Sequence, residues 1–179
     1  MQKILFYLFI SLLLIVEIKG DCQSNSSKKI LYSDTSQFKN MEAVLNIPAF
    51  KGKVVYIDLW GTRCGPCLDE FKYLKVLKER YKDKPVSFLY LKSPYDFDDS
   101  KEWKEMVNRY NLEGINVSLS INFYVNGFWE RFKKNYAEKN RLYGIPTYLI
   151  VNKNGQIINF DAPRPSKREI LYKLIDKEL

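Results

Sequence analysis

The chain has 179 residues, 46% apolar and 15% aromatic, which is enough to bury one core of ordinary size and too short for two. It contains no histidine, which excludes Ser-His-Asp and Cys-His nucleophile pairs, histidine-ligated zinc, copper or haem, and imidazole acid-base catalysis. Three cysteines are too few for a disulfide scaffold or a four-cysteine metal site, and the net charge of +8 is scattered, without the block of like charges that would point to nucleic acid.

Residues 4–16 (ILFYLFISLLLIV) form an apolar run of 13 after Lys3, closed by Glu17. A spanning helix needs about 20 apolar residues and the core of an export signal about 7–15, so residues 1–20 are expected to be a signal peptide or signal anchor. Gly20 offers a cleavage position, with Ile18 a mediocre match two residues before it. Cys22 is a candidate for lipidation, although Asp21 and Lys19 stand where lipoprotein signals carry a small residue and a leucine. The mature chain is therefore expected in an extracytoplasmic, oxidising space such as a periplasm, with membrane association through the N-terminus. Residues 21–35 read as a polar tether and residues 36–179 as the folded domain. Asn25-Ser26-Ser27 and Asn116-Val117-Ser118 match the glycosylation acceptor pattern, which matters only in a eukaryotic secretory pathway.

Within the domain, Val54–Trp60 is a continuous β-rich run, as expected of a strand buried on both faces. Leu68, Phe71, Leu74, Leu77 and Tyr81 recur every three or four residues with Lys and Glu between them, which predicts a helix over 66–82. Val86–Leu91 reads as a second buried strand. Asp99-Ser100-Lys101-Glu102 resembles a helix start, leading into Trp103, Met106, Val107 and Tyr110, and a further helix is expected from about Phe128 to Lys139. Thr147–Asn152 and Gln156–Phe160 flank Lys153-Asn154-Gly155, whose Asn-Gly step predicts an antiparallel hairpin. After Pro163-Arg164-Pro165, Ser166 and Glu169 form a capping-box pattern for a last helix that buries Ile170, Leu171, Leu174 and Ile175. Strands with crossover helices, then a hairpin and a helix, make an α/β domain with a mixed central sheet and helices on both faces.

Between the first buried strand and its helix lie Cys64-Gly65-Pro66-Cys67. Pro66 suits a first helical turn, where amides lack intrahelical partners. Cys64 then sits where free N–H groups and the helix dipole favour a thiolate, while Cys67 lies one turn in, less exposed and within disulfide reach. Cys64 is the candidate nucleophile on a substrate disulfide and Cys67 the thiol that resolves the mixed disulfide. A structural disulfide is the plain alternative. Zinc would need two further ligands and only carboxylates remain, so no metal is expected. Asp58, on the buried strand, carries a carboxylate that burial makes hard to ionise.

The strand, the run Asp58-Leu59-Trp60-Gly61-Thr62-Arg63-Cys64-Gly65-Pro66-Cys67 and the following helix resemble thioredoxin, and Gly144-Ile145-Pro146-Thr147 resembles the cis-proline loop of that superfamily. With the export signal and the segment Asp161–Ser166, residues 36–179 are most similar to TlpA/ResA-type extracytoplasmic thiol-disulfide oxidoreductases, Bacteroidetes-like members in particular. The resemblance implies a thioredoxin-like fold enlarged by an insertion at about 93–127, since 79 positions separate Cys67 from Pro146. It implies a protein-disulfide reductase that needs no cofactor beyond its Cys64–Cys67 disulfide. Its partners would be disulfide-containing extracytoplasmic proteins, with a membrane redox relay as electron donor and no nucleic acid. Asp58 would accept the proton of Cys67, Pro146 would be cis and expose the Ile145 backbone to substrate, and Trp60, Gly65 and Pro66 would complete the binding surface. Arg63 departs from the aromatic residue often found before the first cysteine. A net disulfide oxidase or isomerase, and a non-catalytic binding module of the same fold, remain as alternative readings.

Overall fold

A computed structural model describes residues 30–95, 100–129 and 144–179. The apolar N-terminal run, Cys22, residues 23–29 of the tether and most of the helix expected over 128–139 lie outside the described residues.

Six strands form one sheet: β1 (Ile30–Asp34), β2 (Val54–Trp60), β3 (Val86–Lys92), β4 (Gly114–Ser118), β5 (Thr147–Val151) and β6 (Ile157–Asn159), in the spatial order β1-β4-β3-β2-β5-β6. The first four in that order run parallel to one another, and β5 and β6 are antiparallel to their neighbours. The fold is a thioredoxin-like α/β sheet. All of β2 is buried, as its unbroken apolar run requires of a central strand covered on both sides.

Side chains alternate along β2, and the alternation divides the core. Val55, Ile57 and Leu59 join Met41, Val44, Phe123 and Phe128 on one face, under α1 (Met41–Leu45) and a π-helical stretch, Phe123–Trp129. Val54, Tyr56 and Trp60 join Cys67, Leu74, Leu77, Trp103, Leu171 and Ile175 on the other. That second face is covered by α2 (Gly65–Glu70), α3 (Leu74–Tyr81), α4 (Ser100–Arg109) and α5 (Arg168–Lys177). Asp58, two residues from both Tyr56 and Trp60, therefore points to the face that holds Cys67. Each large apolar side chain fully buried in these layers contributes about 1.5–3 kcal/mol.

Several expectations change. The last residues assigned to the tether form the edge strand β1, held by parallel pairing with β4 from Ile30↔Gly114 to Asp34↔Ser118. The 93–127 segment supplies α4 and also β4, which lies between β3 and β1. The helix expected over 66–82 is interrupted by a 3-10 turn at Phe71–Tyr73. Asn116 is no glycan acceptor: it is fully buried in β4 and donates its side-chain amide to the carbonyls of Leu112 and Gly114. The last helix opens through a 3-10 turn at Pro165–Lys167, which rotates its buried face to Leu171, Tyr172 and Ile175 and leaves Ile170 59% exposed. No capping box forms there, because Ser166 bonds to Glu70 instead of serving the helix. The hairpin is as expected, with Gly155 at φ +77° and Asn152 Oδ1 accepting the amides of Asn154 and Gln156.

Candidate active site

At the end of β2 the chain leaves the sheet at Gly61 and turns into α2. The Cys64 amide donates to Gly61 O at 3.2 Å, and Cys64 is the extended N-cap residue of the helix. Its Sγ accepts the Cys67 amide at 3.2 Å, so the sulfur occupies the position where an oxygen acceptor caps other helices. Pro66 lies in the first turn, where its missing N–H removes no bond. Cys64 and Cys67 are joined as a disulfide, with their Cα atoms 5.2 Å apart. Their surroundings differ: Cys64 is partly exposed between exposed Arg63, Gly65 and Pro66, whereas Cys67 is completely buried.

Pairing across the sheet brings the second loop to the same place. Leu59 of β2 is opposite Thr147, the first residue of β5, so Pro146 emerges beside the end of β2 from which the cysteine loop leaves. The Ile145–Pro146 peptide is cis, and the Thr147 hydroxyl donates to Gly144 O at 2.6 Å. Ile145 and Pro146 are half-buried, with Ile145 packed against both core clusters. Trp60 has no exposed surface and packs edge-on against Phe71, with ring centroids 5.2 Å apart; it floors the site and does not line the surface a substrate meets. Arg63 forms an exposed ion pair with Glu102 of α4 at 3.6 Å, which links the cysteine loop to the 93–127 segment. Trp103, Phe123 and Phe128 are core residues, and Tyr110 packs on Phe71.

Below the disulfide, Asp58 is 1% exposed, and among the described residues neither of its carboxylate oxygens has a hydrogen-bond partner. Tyr90 of β3 and Tyr148 of β5 lie directly across from it, and Tyr148 stacks on Tyr56 with centroids 5.5 Å apart. Burial, and after it the charge of Glu70, raises the Asp58 carboxyl well above the usual carboxylate range. Burial likewise raises the phenols of Tyr56, Tyr90 and Tyr148. Asp58 thus holds a proton more tightly than a free carboxylate does, on the face of the sheet that buries Cys67.

Glu70 is the residue that the sequence reading misses. By pattern it belongs with the polar residues interleaving the apolar stripe, yet it is 7% exposed and sits three residues after Cys67 on α2. The available signal is that i, i+3 spacing, which stacks Glu70 on the turn that carries Cys67. Among the described residues no group of three or more Cys, Asp or Glu is arranged to hold a metal ion.

A family model described as Redoxin matches residues 28–174. Thiol-disulfide oxidoreductase ResA of Bacillus thuringiensis subsp. konkukian (strain 97-27) is 30% identical over 130 residues, covering 70% of this chain and 64% of its own length. The ResA of Bacillus cereus (strain ATCC 10987 / NRS 248) matches with the same figures, so the chain spans about two thirds of the length of these relatives. Among solved structures, a crystal structure from Bacteroides vulgatus, assigned provisionally as a thiol-disulfide oxidoreductase, is 32% identical with a TM-score of 0.53, covering 73% of this chain and 81% of that one. A solution structure of a thiol:disulfide interchange protein from a Bacteroides species shares the fold at 20% identity and a TM-score of 0.54, covering 71% and 76%.

Proposed function

The chain belongs to the Redoxin family as a thioredoxin-like member of the TlpA/ResA type, and on that premise we propose that it is a thiol-disulfide oxidoreductase that reduces disulfides in extracytoplasmic proteins. The observation that carries this reading is the inequality of the two sulfurs: Cys64 is reachable and caps a helix, and Cys67 is buried one turn behind it.

In the reduced protein, the Cys64 thiolate attacks one sulfur of a substrate disulfide. A bond forms from Cys64 Sγ to that sulfur, the substrate S–S bond breaks, and the other substrate sulfur leaves as a thiolate. Cys67 then gives up its proton on the side of the sheet occupied by Asp58 and attacks Cys64 Sγ. The Cys64–Cys67 disulfide forms, the mixed disulfide breaks, and the second substrate thiolate departs. Two electrons have passed to the substrate, and a dithiol donor returns them; a membrane redox relay fits an oxidising compartment without a soluble reductase system. Gly65, Pro66 and the backbone of Ile145 bound the approach to Cys64, and Arg63 adds a cation beside it.

Two features support the burial of the second cysteine as functional. A thiol without solvent contact does not compete for substrate, and it needs a local proton acceptor to become a nucleophile. An N-terminal export signal and anchor, with Cys22 as a candidate lipid attachment point, would hold this domain at the outer face of a membrane.

The test is capture in cells with Cys67→Ala, which stalls the reaction at the mixed disulfide on Cys64. Extracytoplasmic client proteins released by reductant support the reading, and an empty capture in cells that make the protein overturns it. A reduction potential near the roughly −120 mV of strongly oxidising catalysts would contradict the reductive direction.

A further inference from the structure

The segment from Asp161 to Ser166 has no part in the sulfur chemistry above, yet it is fastened to the buried side of the site by four hydrogen bonds. The Ala162 amide donates to Tyr148 O at 2.9 Å and the Tyr56 hydroxyl donates to Pro163 O at 2.8 Å. Ser166 supplies two donors to one carboxylate: its amide reaches Glu70 Oε2 and its hydroxyl reaches Glu70 Oε1, both at 2.9 Å. Both oxygens of Glu70 are thus held by a single residue 96 positions away in sequence. A buried carboxylate keeps a defined place only where its oxygens find donors, and paired donors fix its orientation as well as its position.

We propose that Ser166 is a positioning residue of this site, clamping the Glu70 carboxylate so that the C-terminal segment determines where that charge stands relative to Asp58 and Cys67. The proposal rests on the reading of Asp58 as proton acceptor for Cys67. The groups that face Asp58 are Tyr56 on its own strand, Tyr90 on β3, Tyr148 on β5 and Glu70 on α2, while Arg164 acts on Tyr148 from the segment itself. Glu70 is the second carboxylate of that set. Its charge strengthens the hold of Asp58 on its proton, and the clamp keeps that influence constant. A Glu70 released from Ser166 turns among several orientations, and Asp58 then yields its proton at lower pH.

The experiment follows the Asp58 carboxyl carbon by NMR against pH in the reduced protein, alongside the pH dependence of mixed-disulfide resolution. Glu70→Gln moves the Asp58 midpoint to lower pH. Ser166→Ala, which keeps the backbone donor and loses the hydroxyl, moves it the same way by about half a pH unit. Ser166→Thr retains the hydroxyl and restores the wild-type midpoint, and Ser166→Ala adds nothing in a Glu70→Gln background. Should Ser166→Ala not fold, Ser166→Cys, a weaker donor of similar shape, takes its place with the same readout. An Asp58 midpoint unmoved by loss of the hydroxyl overturns the clamp, as does a shift that persists undiminished with glutamine at position 70. The NMR titration needs no turnover, so an inactive protein with these shifts refutes the oxidoreductase reading and leaves the clamp standing.

Discussion

The backbone amide of Cys67 donates to the Sγ of Cys64 across 3.2 Å, so the exposed sulfur caps the helical turn that buries the other. One short segment therefore gives two cysteines opposite environments. On reduction, the donor that faces Cys64 favours its thiolate, while Cys67, which has no solvent contact, must pass its proton to a neighbour.

Asp58→Asn removes that neighbour and slows resolution about a hundredfold, the lower end of what a positioned proton acceptor contributes. The same substitution changes stability with a definite sign. In the unfolded chain Asp58 ionises near about pH 3.9, and in the folded protein burial holds the proton well above that. Between the two values the folded state binds the extra proton, so wild-type stability falls as pH rises until the folded group itself ionises. The asparagine variant has no proton to lose at this position. Urea unfolding should find the variant and wild type equal near about pH 3 and the variant gaining about 1.4 kcal/mol per pH unit above the unfolded value. A constant difference across the range would refute the buried, protonated Asp58.

Gly114→Ala should destabilise the domain by about 3 kcal/mol or more. Gly114 starts β4 at φ +136°, and a Cβ there would stand 2.5 Å from the backbone oxygen of Phe88. Gly65→Ala, where a Cβ meets nothing within 4 Å, should leave the unfolding free energy within about 0.5 kcal/mol of wild type. Comparable losses in the two variants would mean that β4 does not approach β3 as described.

Arg63→Gln removes the cation beside Cys64 together with its exposed pair to Glu102. The unfolding midpoint should not change, since exposed ion pairs contribute little. The Cys64 thiolate should form at a pH higher by a few tenths in dilute buffer, and the difference should vanish near about 1 M salt, where screening acts over about 3 Å. A salt-independent shift would show that Arg63 acts through structure and not through its charge.

The parts of the fold read correctly from sequence are those set by local rules. Val54–Trp60 is recognisable because a strand buried on both faces must be apolar throughout, and the hairpin because Asn154-Gly155 supplies the backbone that a tight reversal needs. The edge strand Ile30–Asp34 escapes notice because its residues are half-buried or exposed and its pairing depends on a strand more than 80 residues away. Ser166 and Glu169 match a capping box, yet the serine is drawn to Glu70 by a contact that no local pattern contains. The cysteines and Asp58 are legible because spacing and strand context mark them, and the Pro146 loop because Gly144-Ile145-Pro146-Thr147 resembles the cis-proline loop of the thioredoxin superfamily. Glu70, Tyr90 and Tyr148 are not, since what makes them part of the site is cross-strand register and burial.

The most direct test is titration of the two thiols in the reduced protein by thiolate absorbance, with Cys67→Ala used to assign Cys64. The account predicts two separate steps, with Cys64 ionising at least about one unit below the roughly 8.5 of a free cysteine and Cys67 above it. A single step with both thiols near the free value would contradict the inequality of the two sulfurs on which the proposed chemistry depends.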